Sequence, residues 1–159
     1  MLDDDLNESE RTEQPVLSSP TPRTVTEADV VAFAGLSGDY NQIHTDAAYA
    51  ATTPFGQRIA HGLCVMSIIS GLITRTGVME GTVLAFREVA EWKFSQPVFF
   101  GDTVRAETEV LETKPYPRLG GGAVVIKINV KNHKGDIVQS GKWNVLMMSR
   151  PKVSTAGTD

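Results

Sequence analysis

The chain has 159 residues, 41% of them apolar and 21% charged, with a formal net charge of −4. That length suits one domain of ordinary soluble composition, and the acidic balance excludes a basic patch for nucleic acid or a membrane surface. A single cysteine, Cys64, excludes a disulfide framework within the chain and fits a reducing, cytoplasmic setting.

Residues 1–22 are acidic and polar, with Pro15, Pro20 and Pro22, and are expected to form a flexible arm. The acidic start, Met1 to Asp5, is unlike a secretory or transit segment. Residues 23–150 are expected to form one domain, and residues 151–159 a flexible tail.

Thr26 with Glu27 and Asp29 reads as a capping box, and Val30, Val31, Phe33 and Ala34 give the short helix that follows one apolar face. Gly35 and Gly38 are expected to end it, which leaves Asp39–His44 as a loop. Residues 46–51 read as a second short helix, broken at Thr52–Gly56. The main helix is expected from Ala60 to about Val78. Its apolar residues go round most of the circumference, so it should be buried on most sides. It is too short and too polar to span a bilayer.

From Thr82 the pattern changes to strands. Candidates are Thr82–Val89, then Glu91–Ser95 with Trp92 and Phe94 on one face, then Thr103–Glu112. Lys114–Gly122 reads as a loop. Ala123–Asn132 and Ile137–Met148 read as long strands joined by a turn at His133–Asp136. Helices segregated from consecutive antiparallel strands mean an α+β fold, a curved sheet wrapped around a long central helix. Its open edges would be covered by pairing across a two-fold axis, giving a homodimer or a higher homo-oligomer.

Asp39 and His44 are each suited to general acid–base work and stand close enough in sequence to converge on one water. Asn41 between them can both donate and accept. The alternative is that Asp39 and Asn41 only cap turns. His61 and Gly62 open the main helix, where unpaired N–H groups and the positive dipole end make an oxyanion site. The alternative there is that Gly62 serves packing and His61 is a polar cap. His44, His61 and His133 lack metal-ligand spacing, so no metal is expected.

The run Phe33, Ala34, Leu36, Ser37, Gly38, Asp39, Asn41, Ile43, His44, then Asp46, Thr52, Thr53 and Ile59–Gly62, with Ser67 and Ser70, resembles the hydratase-2 motif of the MaoC-like, R-specific enoyl-CoA hydratases. The likeness continues through Trp92, Lys93, Phe94, Pro97 and Val98 to Gly101–Val104. It implies a hotdog fold, usually dimeric, and reversible hydration of a trans-2-enoyl-CoA to an (R)-3-hydroxyacyl-CoA, with neither metal nor redox cofactor. It implies that Asp39 and His44 are the catalytic pair and that Asn41 helps orient them. By the same likeness the Gly62 N–H receives the thioester oxygen and Ser70 supports the aspartate. Where the family commonly has proline, this chain has Gln42, which leaves the loop less pre-set.

Within that resemblance, His44 is the expected main base and Asp39 the proton donor to C2. Arg58, Lys93 and Arg118 are the candidates for the CoA phosphates. Two other functions fit parts of the pattern: an acyl-CoA thioesterase, and a non-catalytic binder or subunit of a hetero-oligomeric dehydratase.

Overall fold

The structure is a computed structural model that describes residues 16–19 and 21–150. Most of the expected arm, and all of the expected tail after Arg150, lie outside the described residues. Within the span read as arm, Leu17–Ser18 (β1) pairs antiparallel with Glu107 and Thr108. Ser19 is buried, and its hydroxyl accepts from the Ala106 N–H at 3.1 Å. Strand pairing is thus present among the described residues before residue 23. Arg23–Thr24 (β2) pairs with the start of the same partner strand.

Helix α1 spans Glu27–Ser37 and starts at the expected capping box: Thr26 and Asp29 exchange backbone-to-side-chain hydrogen bonds of 2.9 and 3.3 Å. Gly35 stays inside the helix. Gly38 alone ends it, at φ 76°, in the left-handed region that glycine adopts without penalty. The expected loop 39–44 is in part helical, because Asn41 caps a one-turn helix, α2 (Gln42–Thr45). Asp46 caps α3 (Ala47–Ala51), the second short helix expected there.

Helix α4 runs Gly62–Thr74, shorter than expected, and the chain leaves it through Gly77 at φ 72°. It is not buried all round. Cys64, Val65, Ile68, Ile69, Leu72 and Ile73 pack into the core, while Leu63, Ser67, Ser70, Gly71 and Thr74 form an exposed stripe. Polar and small residues along that stripe explain the difference. Cutting back a fully buried residue such as Ile69 to alanine costs roughly 2–5 kcal/mol.

Four long strands complete the domain: β3 (Val83–Phe94), β4 (Thr103–Tyr116), β5 (Gly121–Lys131) and β6 (Ile137–Met148). The sheet order is β1-β4-β5-β6-β3, all antiparallel. The strands are therefore not a simple meander: β3 pairs with β6, not with β4. The segment between β3 and β4 is held instead at the start of α4, where the Ala60 N–H donates to the Val98 carbonyl at 2.8 Å and Ile59 bridges Phe99. The two strands expected at 82–89 and 91–95 are one strand with bulges. The expected loop 114–122 is mostly strand, with Pro115 opposite Gly122 and a 3-10 turn at Pro117–Leu119. Neither β1 nor β2 reaches that half of β4, so among the described residues Pro115 lies on a free edge, where a missing N–H is tolerated. Val104, Ala106, Ile126, Ile128, Trp143 and Val145 form the inner face against α4.

Candidate active site

The site assembles where α2, the end of the 52–61 segment and the start of α4 meet. Asn41 Oδ1 accepts from the Ile43 N–H at 3.1 Å, so Asn41 caps the turn that carries His44. His44 is buried, and its Nδ1 lies 2.7 Å from the Ile59 carbonyl. A carbonyl only accepts, so Nδ1 carries the proton and the neutral ring keeps its free lone pair on Nε2. Burial lowers the pKa of His44. The bond to Ile59 opposes this, His61 lowers it further and Asp39 raises it. The net direction favours the neutral base.

His61 is buried at the N-cap of α4 without capping it through its side chain. Its Nε2 donates to the Asp39 backbone carbonyl at 2.8 Å, which ties the loop after α1 to the helix start. Asp39 itself is exposed, and its Oδ1 accepts from the Asn41 N–H at 3.2 Å. The turn-capping alternative thus describes real bonds of Asp39 and Asn41, yet the same bonds bring the acid to the histidines. One side-chain atom each of Asp39, His44 and His61 lies within 4.8 Å of the others. Sequence spacing gave no sign of His61 in this group. The two rings lie face to face at a tilt of 31°, with centroids 3.8 Å apart. Each ring gives one nitrogen to a backbone carbonyl, and its other nitrogen has no hydrogen-bond partner among the described residues. Such a cluster can hold and move protons.

Gly62 is the first residue of α4, and its N–H has no acceptor among the described residues. A Cβ there would come within 2.6 Å of the Phe94 ring, so glycine is what lets that ring close over the helix end. His44 and Gly62 both line a cavity of about 470 Å³, whose walls include Phe55, Leu63, Phe94 and Val98. This apolar pocket with an imidazole and a free backbone donor can polarise a carbonyl and activate a water beside it.

Other expected residues stand apart. Ser70 lies on the exposed stripe of α4, and its hydroxyl makes no hydrogen bond to Asp39 among the described residues. Gln42 is exposed on α2. Arg58 is engaged by Glu27 at 2.6 Å and sits 4.8 Å above the Phe100 ring. Arg118 is in the 3-10 turn, whereas Lys93 directly precedes Phe94 of the cavity wall. Gln139 went unnoticed in the sequence although it lines the cavity. The signal was there: on β6, Gly141, Trp143 and Val145 alternate inward, and Gln139 falls on the same face.

A sheet of this order curled round one buried helix is the hotdog arrangement, an α+β class. Residues 8–131 match the family model described as MaoC like domain, and the chain belongs to that family. An (R)-specific enoyl-CoA hydratase of Aeromonas caviae is 40% identical over 108 residues, covering 62% of this chain and 78% of the relative. Among solved structures, a monoamine oxidase regulatory protein from Archaeoglobus fulgius superposes with a TM-score of 0.79 at 34% identity, covering 87% of this chain and 92% of that one. An R-hydratase of Pseudomonas aeruginosa in its unliganded form gives a TM-score of 0.71 at 33% identity, covering 87% and 83%.

Proposed function

We propose that this chain is an (R)-specific enoyl-CoA hydratase, equally a 3-hydroxyacyl-CoA dehydratase in reverse, and that Asp39, His44 and Gly62 carry the reaction. The observation that carries the reading is one cavity bounded by the His44 ring, with Nε2 unprotonated, and by the start of α4 at Gly62. The names of the relatives support the same class.

The thioester carbonyl accepts from the Gly62 N–H, which makes C3 electrophilic and holds enolate charge as it develops. One such donor is worth roughly 3–4 kcal/mol in other enzymes. His44 Nε2 takes a proton from water as the water oxygen bonds to C3. The electron pair of the C2–C3 double bond passes to the thioester oxygen. Asp39 passes the proton from His44 to C2 as the carbonyl re-forms, so the proton and hydroxyl of one water are added and the enzyme is unchanged. Both groups lie in one cluster, which favours syn addition. No metal or redox cofactor enters these steps.

The working unit is proposed to be a homodimer. Among the described residues strand β3 is one edge of the sheet, and Leu84, Phe86 and Val89 on it are 53%, 50% and 41% exposed. Apolar side chains along an unpaired edge favour a second copy pairing there.

The test runs two assays on the purified chain with crotonyl-CoA: loss of the conjugated enoyl absorbance, and release of free thiol. Absorbance loss without thiol supports the hydratase. Thiol release at the same rate makes the protein a thioesterase, and neither signal removes the catalytic reading.

A further inference from the structure

Gln139 is a long polar side chain in the core, 2% exposed, between β6 and the start of α4. Burying an amide is unfavourable unless it is hydrogen-bonded, and this one is bonded at both ends. Trp92 Nε1 only donates, so it meets Oε1, at 3.2 Å. The Gly62 carbonyl only accepts, so it meets Nε2, at 3.0 Å. The two partners leave a single orientation for the amide.

Trp92 reaches this position through a local irregularity. Strand β3 is bulged between Ala90 and Lys93, and Glu91 in the bulge has φ 52°, the one non-glycine residue with positive φ among the described residues. Such backbone is costly and persists only where the surroundings enforce it. The Trp92 indole lies over Gly141, where an added Cβ would come within 2.5 Å of the ring, and stacks with Trp143 at 6.1 Å. The indole has packing on both sides and one polar contact, which leads to Gly62.

Gly62 is the residue whose N–H is assigned to the thioester oxygen. Its N-terminal side is set by His61, buried and bonded to the Asp39 carbonyl. Its C-terminal side is set by Gln139. We propose that Gln139 is a positioning residue for the oxyanion donor: with Trp92 behind it, it holds the carbonyl of the first residue of α4 so that the N–H of that same residue, Gly62, keeps its aim. A donor displaced by a fraction of an ångström loses most of its value to the transition state. This inference rests on the hydratase reading and names what holds its oxyanion site.

The experiment measures crotonyl-CoA hydration by wild type, Gln139→Leu, Trp92→Phe and the double variant, with melting temperatures to confirm folding. Leucine keeps the volume and removes both bonds. Gln139→Leu is expected to lower kcat about tenfold with KM within about twofold, the pattern of a lost transition-state interaction. Trp92→Phe is expected to lower kcat about threefold. The double variant is expected to be no slower than Gln139→Leu, because Trp92 acts through Gln139. In infrared spectra, the carbonyl band of bound butyryl-CoA, labelled with carbon-13 at the thioester, is expected to move back toward its value in water in Gln139→Leu. Loss of packing alone would not move that band.

A kcat for Gln139→Leu within twofold of wild type overturns the proposal, as does a Trp92→Phe factor that appears in full on top of it. Wild-type hydration with an unaffected Gln139→Leu removes this inference and leaves the hydratase reading standing. Absence of hydration by the wild-type chain removes both.

Discussion

The imidazoles of His44 and His61 lie ring against ring, with centroids 3.8 Å apart and planes tilted by 31°. Charge on both rings at that separation is unfavourable, and His44 also sits where water is scarce. Burial, with His61 adding to it, takes the pKa of His44 below the ordinary imidazole value of about 6.5, against the opposing pull of Ile59 and Asp39.

Activity should follow that direction. The base works unprotonated, so kcat/KM is expected to rise through a pKa below about 6.5 and to be level at neutral pH. Stability should follow as well. The folded pKa is the lower one, so between the two values the unfolded chain binds more protons. Stability is then lost as pH falls from about 6.5 through the folded pKa. Urea unfolding of wild type and His44→Ala between pH 5 and 8 checks this. The acid loss is expected to be smaller in the variant, and an equal loss would assign it elsewhere.

Gly62→Ala should separate packing from chemistry. The added methyl meets the Phe94 ring, and that ring is 54% exposed, so it can swing away. The fold is expected to survive while kcat/KM falls at least about tenfold, because the displaced ring and the new methyl both disturb the place of the thioester oxygen. A normal rate in steady-state assays would argue against the oxyanion role of this glycine.

A lysine on the exposed edge strand should report on assembly. Leu84→Lys puts a charge on the half of β3 away from the cavity wall at Phe94. Light scattering is expected to show a dimer for wild type and mostly monomer for the variant. An unchanged mass would place the subunit contact on another face.

Much of this architecture was legible in residues close together in the chain. The capping box at Thr26 and the cap at Asp46 act within three residues, and the turn at His133–Asp136 is written in its own composition. The apolar run of α4 announced the core helix. What escaped depends on contacts between distant segments. The pairing of β3 with β6 is set by how the 95–102 segment docks on α4. Strand β4 continues through Pro115 because β5 still pairs with it on one side while β1 and β2 stop short on the other, which no local rule expresses. In the site, Asp39, His44 and Gly62 carried a motif that could be read, but the close approach of His61 to His44 brings together residues from two segments. Gln139 was visible only as a polar residue out of place on an inward face.

The most direct test is the rate of crotonyl-CoA hydration by purified Asp39→Asn and His44→Ala beside wild type, with circular dichroism to confirm the fold. Each variant is expected to fold and to lose at least about a hundredfold in kcat/KM, the usual scale of general acid–base catalysis. Near wild-type turnover in either folded variant would contradict the catalytic pair.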